Sequence, residues 1–257
     1  MGLFKNCLYF MKHLILITFL TSSLLIGCSN GQTNNNNSTS VTKQKTTIDN
    51  FQFSFESAHP KAQALMKDEF YWSPIEETAP FGSDDGSDAA YGFRQWRLLN
   101  KNISPMVYLK ELIERWQYPF FDYNELDTTK IREYISRKPN LDEKDMQQQI
   151  NTLREALKNS GDTSINKTDD SHLREVIIAS SKKMGGTYLL GQDNAIIGIC
   201  FAQFVLEGHI DSDIKNIGIT AIKRQLLPIL LERWGENYSK TRKQKLKQLF
   251  EVISKAN

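Results

Sequence analysis

Apolar positions in this chain recur mostly at three- and four-residue intervals, the spacing of one face of a helix. The densest stretch is Asp193–Trp234. Its first half carries Ile196, Ile197, Ile199, Cys200, Phe201, Phe204, Val205 and Leu206, which cover nearly the whole circumference of a helix. A helix apolar all round is buried all round, so this one is expected to be the central rod of a domain. Asp193 and Asn194 are expected to cap its start and Gly208 to stop it. A second helix is expected from about Ser212 to Trp234.

The rest of the pattern is weaker but of the same kind. Phe51, Phe53 and Phe55 alternate with polar residues and predict a short extended segment with no evident partner strand. Pro60 starts a helix that should run to about Asp68. Glu69–Gly86 holds two prolines and two glycines and is expected to be an ordered loop or a broken short helix. A helix is expected over Ser87–Leu99, and another after Ser104, with Pro105 in its first turn and Val107, Leu109, Leu112, Ile113 and Trp116 on its apolar stripe. Weaker helices are read at Thr128–Arg137 and Asp142–Lys158. Leu173–Leu190 reads equally as helix or as strand and turn. The last helix, about Lys240–Lys255, sets Leu246, Leu249, Phe250 and Ile253 against a lysine-rich face, read as a solvated surface with a membrane-surface role as the alternative. The class expected is all-α or mostly α, a single helical domain with one short strand pair left open.

The N-terminus changes the picture. Residues 1–27 contain Lys5, Lys12, no acidic residue, and an apolar run with the length of a signal-peptide core rather than of a membrane span. The run ends in Leu25-Ile26-Gly27-Cys28, which looks like a bacterial lipobox; Met11 would make a more usual start than Met1. The expected organisation is a lipoprotein signal peptide over 1–27, a lipidated Cys28 with a polar, asparagine-rich disordered tether to residue 47, and a helical domain over 48–257. Several acyl chains on Cys28 would hold the protein stably to a bilayer. Ser29, where an Asp would favour inner-membrane retention, favours the outer membrane of the cell envelope, with the domain facing the periplasm.

Charge and cysteines remove several classes of function. Loss of Lys5 and Lys12 with the leader leaves 30 basic residues against 30 acidic ones, a balance that gives no case for nucleic-acid binding. Of the three cysteines, Cys7 goes with the leader, Cys28 is lipidated and Cys200 sits in the apolar rod, where a small buried hydrophobe is expected. The four histidines show no metal-ligand spacing, and there is no nucleophile elbow or phosphate loop. No catalytic residue, metal ligand or cofactor is assigned.

The candidate binding residues are Trp72, Glu76, Glu77, Phe81, Asp84, Asp85 and Asp88, carboxylates beside aromatic rings. Close carboxylates can bind a hard cation or split their pKa values for proton transfer. Here, however, the DDGSD string lacks the spacing of a calcium loop. The plainer reading is that Asp84, Asp85 and Asp88 favour a helix N-terminus and are answered by Arg94 and Arg97.

The strings AHPKAQALMKDEFYW, APFGSDD and FRQWR between Ala58 and Arg97, and AIIGICFAQFVLEGHID later, resemble the YfeS-like family of uncharacterised bacterial proteins. The resemblance covers about a third of the mature chain and implies a helical domain in which the Pro80–Asp84 loop packs near the Ile196–Leu206 rod. It implies no activity, and this chain departs from it in its leader and around residues 171–192. The expected role is a membrane-anchored module that binds a protein in the cell envelope, one form of which is an immunity protein against a delivered toxin. The alternative is an envelope enzyme or metal-binding protein using the acidic loop over 76–88.

Overall fold

The computed structural model describes residues 51–137, 142–159, 169–181 and 184–257. Among them are ten α-helices and no strand. In chain order they are α1 (Pro60–Leu65), α2 (Asp84–Leu99), α3 (Pro105–Arg115), α4 (Thr128–Ile135), α5 (Glu143–Asn159), α6 (Asp170–Ser181), α7 (Met184–Glu207), α8 (Ser212–Gln225), α9 (Pro228–Leu231) and α10 (Glu236–Lys255), with a single 3-10 turn at Glu69–Trp72. The expected leader, lipidation site and tether lie outside the described residues.

The rod is α7, and it is buried as its apolar circumference requires. Ala195, Ile196, Ile199, Cys200, Phe201 and Ala202 have no solvent contact. By length and composition α7 could cross a membrane, but 89% of that apolar window is buried inside the domain, so the other helices do for it what lipid would. Gly208 ends it in the left-handed region at φ 72°, where a side chain would be strained. A Cβ there would also fall 2.2 Å from the His59 ring.

The start of α7 differs from expectation. The helix begins at Met184, so Gly185, Gly186 and Gly191 are helical and Asp193 and Asn194 lie deep inside it. Glycine in a helix costs about 1 kcal/mol against alanine, and contact with neighbours offsets that cost. A Cβ on Gly185 would meet the Tyr134 carbonyl oxygen at 2.2 Å, one on Gly186 the Arg233 guanidinium at 2.1 Å, and one on Gly191 the Tyr118 ring at 2.7 Å. The most intimate crossing is with α2, where a Cβ on Gly198 would lie 2.5 Å from the Gly86 carbonyl oxygen. Ala89 and Ala90 continue this small-residue seam, and both are fully buried. The first turn of α2, directly after the Pro80–Asp84 loop, thus rests on the rod.

Other elements follow their sequence signals with shifted ends. Ser83 caps α2 by accepting from Gly86 N at 3.1 Å, and Ser104 caps α3 by accepting from Met106 N at 3.1 Å. The expected helix Ser212–Trp234 is broken, because Pro228 has no N–H to continue α8 and starts the short α9 instead. The Phe51–Phe55 segment pairs with no strand. Phe53 stacks on Phe81 with centroids 4.4 Å apart, and Phe51 meets Phe53 edge-on at 5.1 Å. Its alternation therefore serves ring packing rather than a sheet. Helices α5 and α6 bury Met146, Ile150, Leu153, Leu173 and Ile177 against one another in a cluster of their own, clamped by Arg174–Glu143 and Arg154–Asp170 ion pairs.

The seam predicts an asymmetric response to alanine. Gly198→Ala should cost roughly 1–3 kcal/mol, because backbone on both sides must move. Gly235→Ala, with nothing within 4 Å of the added carbon, should cost only the weaker N-cap of α10, under about 1 kcal/mol. Urea unfolding followed by circular dichroism measures both, and equal effects would contradict the packing described.

Candidate functional site

The seven candidate residues occupy the loop before α2 and its first turns, and they divide between the inside and the outside of the fold. Phe81 is core, 4% exposed. Trp72 is half-buried, and its indole N–H donates to the Met66 carbonyl oxygen at 3.0 Å. Glu77 is half-buried, and Asp84 and Asp88 are exposed. Two of the carboxylates, Glu76 and Asp85, are tied into the domain.

Glu76 is held from three directions. Lys245 Nζ lies 2.5 Å from Oε2, the Tyr238 hydroxyl donates to Oε1 at 2.8 Å, and Thr78 N–H donates to Oε1 at 3.3 Å. Burial works to raise the Glu76 carboxyl. Lys245, Tyr238 and the Thr78 amide outweigh it and leave the group below the ordinary carboxylate range.

Asp85 is the opposite case. Its carboxylate accepts from the Tyr118 hydroxyl at 2.8 Å and sits against Gly191, where a Cβ would come within 2.9 Å of it. Burial pushes its pKa up to about 7; the Tyr118 hydrogen bond opposes this, and Glu77, Asp84 and Asp88 add to it. Tyr118 is itself raised, by burial first and then by Asp85. Asp88 is raised by burial and by Asp84. A carboxyl that titrates near neutrality beside a phenol is competent for proton transfer, but this one is packed between a helix and a ring.

Behind the loop runs a polar network that sequence reasoning missed. The Asp193 and Arg224 side chains, 0% and 1% exposed, meet in the middle of α7 and at the end of α8. Arg224 Nε lies 3.1 and 3.2 Å from the two carboxylate oxygens, and Nη2 lies 2.5 Å from Oδ1. Nη1 donates to the carbonyl oxygens of Asp122, Tyr123 and Glu125 at 3.4, 3.3 and 2.8 Å. One guanidinium thus neutralises the acid and satisfies the loop before α4. Burial raises the Asp193 carboxyl, and Arg224 works against it.

The next residues on both helices extend the network. Gln225 donates to Asn194 Oδ1 at 3.0 Å and accepts from Arg242 at 2.5 Å. Arg242 donates to the Thr78 hydroxyl at 3.1 Å, which lies 3.1 Å from the Tyr238 hydroxyl, the donor to Glu76. The path runs without a break from the centre of α7 to Lys245. Arg242, 1% exposed, also lies 4.4 Å from the centre of the Trp234 ring, and burial lowers its pKa. Gln192 Oε1 and Asn194 Nδ2 are buried without a hydrogen-bond partner. The lysine-rich face of α10 is exposed at Lys240, Lys243 and Lys247, while Lys245 turns to Glu76. Arg242 shares the stripe of Leu246, Leu249 and Ile253, and that spacing was the available sign that it points inward.

Arg97 does not answer the acids of its own helix. It reaches the end of α7, with Nε 2.5 Å and Nη2 3.1 Å from the Glu207 carboxylate, while Nη1 donates to the carbonyl oxygens of Asn100 and Ile103 at 3.3 and 2.5 Å. Arg94 lies over the Phe51 ring at 4.1 Å. Cys200 is fully buried, and burial pushes its thiol far above the usual range. Among the described residues no three His, Cys, Asp or Glu side chains converge as a metal site would need. A cavity lined by Gly186, Leu190, Gln225, Leu230, Arg233, Trp234 and Arg242 encloses about 10 Å³, room for about one water.

Two variants test these assignments. Arg224→Met should cost roughly 3–5 kcal/mol, since it strands a buried carboxylate. Adding Asp193→Leu should cost less than the two single changes summed, by about 1 kcal/mol or more in a double-mutant cycle of urea unfolding. For Asp85, the folded pKa of about 7 lies above the unfolded value of about 3.9, so the folded state holds its proton more tightly. Stability should therefore fall as pH rises from about 4 to about 7, by roughly 1–3 kcal/mol for a residue that keeps some solvent contact, and level off above that. Asp85→Asn, which keeps the acceptor for Tyr118, should flatten this limb in thermal melts across pH.

No family model, characterised protein or solved structure matches this chain. The likeness to the YfeS-like family thus remains a likeness of short strings, and the functional reading rests on the residues themselves.

Proposed function

We propose that this protein is a lipid-anchored module of the bacterial cell envelope that binds a protein partner through the outer side of the acidic loop and α2. The observation that carries the reading is the division of the carboxylates. Glu76 and Asp85 are turned inward and held by Lys245, Tyr238 and Tyr118, so the loop is a fixed platform. Asp84 and Asp88, one helical turn apart on α2, both keep exposed surface, with the Asp88 carboxyl partly covered. Ile75, on the same loop, is 88% exposed. A fixed segment that exposes one apolar side chain and two carboxylates suits a partner that offers lysine or arginine together with an apolar contact. Binding to a preformed surface also avoids the entropy of ordering a loop. Neutralisation of a delivered toxin is one form of this role.

The anchor reading draws on the basic residues, apolar run and Gly27-Cys28 of the leader. Periplasmic exposure and the outer membrane follow from it and from Ser29. An envelope enzyme built on the same loop is the second reading, and the observation in its favour is Asp85, with a pKa near 7 beside Tyr118.

Affinity capture from envelope extract decides between the two. The parent protein should retain a partner, and Asp84→Lys with Asp88→Lys should lose it while keeping the helical circular-dichroism spectrum of the parent. Asp85→Asn should retain it, because that carboxyl faces inward. A partner held equally by parent and Lys variant would remove the acidic surface from the proposal. The intact mass of the membrane-extracted protein should correspond to a chain beginning at Cys28 and carrying acyl groups, and an unmodified Cys28 would refute the anchor.

A further inference from the structure

Leu98, Leu99, Ile103 and Val107 are 56, 89, 43 and 41% exposed; Leu98 and Leu99 end α2, Ile103 lies in the turn to α3, and Val107 is in the first turn of α3. Single exposed apolar residues are ordinary; four within ten positions are not. The turn is held rigidly rather than left loose. Arg97, with a side chain only 9% exposed, is braced by Glu207 and donates to the carbonyl oxygens of Asn100 and Ile103. Asn100 N–H bonds back to Arg97 O at 3.3 Å and Ile103 N–H to Asn100 O at 3.2 Å. A buried guanidinium is thus spent on presenting apolar side chains to the outside.

The place where the chain joins the body points to what covers them. Phe51 is the first described residue, and its ring lies 4.1 Å beneath the Arg94 guanidinium. Arg94 and Leu98 are four residues apart on α2 and so share one face. The segment that leads back to Cys28 therefore joins the domain beside the exposed turn. Cys28 precedes Phe51 by 23 positions, a length that would span about 25–30 Å as a random coil. A domain of this size is roughly 40 Å across, so the face beside Phe51 is the one an anchor at Cys28 holds nearest the bilayer. Lys101 and Lys110 are exposed at the same end, with Glu111 one turn beyond Val107; lysine at the edge of an apolar patch suits a phospholipid interface, where its stem lies along the apolar layer and its amine reaches the headgroups.

We infer that the α2–α3 turn is a membrane-docking element whose Leu98, Leu99, Ile103 and Val107 enter the interfacial layer of the phospholipid bilayer that holds Cys28. Docking fixes the orientation of the domain on the bilayer. This inference rests on the reading of Cys28 as a lipid anchor.

The test uses the full lipidated chain in phosphatidylethanolamine–phosphatidylglycerol vesicles, with a nitroxide on Leu99→Cys and, separately, on Lys243→Cys in the exposed face of α10. Cys200 is buried and does not compete for label. In vesicles the label at 99 should become more accessible to oxygen than to a water-soluble nickel chelate, reversing its ratio in detergent-free buffer, while the label at 243 keeps its aqueous ratio. Leu98→Glu carried with the label should restore the aqueous ratio at 99. An aqueous label at 99 in vesicle-bound protein overturns the inference, whether the label at 243 turns lipid-exposed, which assigns the membrane face to α10, or stays aqueous. A label at 99 that is aqueous in these vesicles but immobilised in native envelope vesicles assigns the turn to a protein and overturns it too. Intact mass reads acylation of Cys28 separately; since an unmodified Cys28 would itself take label, the label at 99 is then read in a Cys28→Ser chain, where a lipid-exposed ratio upholds the docking surface and removes only the anchor.

Discussion

Asp193 lies near the middle of a 24-residue helix that is mostly apolar and almost wholly buried, and much of the fold follows from that placement. An isolated carboxylate there would cost several kcal/mol. Arg224 meets it in the required geometry and still has a donor left for the carbonyl groups of residues 122, 123 and 125. The pair therefore fixes the register of α8 against α7 and brings the loop before α4 to the same point. A hydrophobic contact would allow either helix to slide by a turn at little cost. This contact does not, because a displaced Arg224 would leave both a buried charge and orphaned carbonyl groups. Asn194 and Gln225, the next residues on each helix, repeat the match with a neutral pair.

The same network connects the core to the candidate site. Gln225 passes the constraint to Arg242, Arg242 to Thr78, and Thr78 with Tyr238 to Glu76. The acidic loop is thus no mobile connection between elements. Its backbone is set by residues more than 140 positions away in sequence, and its outward carboxylates occupy places determined by its inward ones. For a binding surface this means little conformational entropy is lost on contact.

Much of this was legible in the sequence. The apolar circumference of Ile196–Leu206, the Ser104-Pro105 cap and the stop at Gly208 each carry a local physical signal, and each is realised. What was not legible depended on residues distant in sequence. Gly185 and Gly186 lie in a stretch that reads equally as helix or as strand and turn, because helix propensity ignores what lies across the helix; here Tyr134 and Arg233 occupy the space a side chain would need. Asp193 and Asn194 read as caps for the same reason, since only Arg224 and Gln225 make a mid-helix position tolerable. The acidic string announced a cluster but not its division, because whether a carboxylate faces in or out depends on Tyr118, in the segment after α3, and on Tyr238 and Lys245 of α10.

Arg97 and Arg224 show two uses of one chemistry. Both are buried guanidinium groups that hold a carboxylate and carbonyl oxygens together. Arg224 closes the interior, and the carboxylate it binds is fully withdrawn from solvent. Arg97 binds Glu207 and the α2–α3 turn, and the side chains carried by that turn point outward. If the turn served only to reverse the chain, polar residues would satisfy it better, since Leu99 exposes nearly all of its surface at no gain to the fold. An interior-quality clamp beneath an apolar exterior is the arrangement of a surface that is covered in use. The clamp holds the turn in shape when that cover is absent.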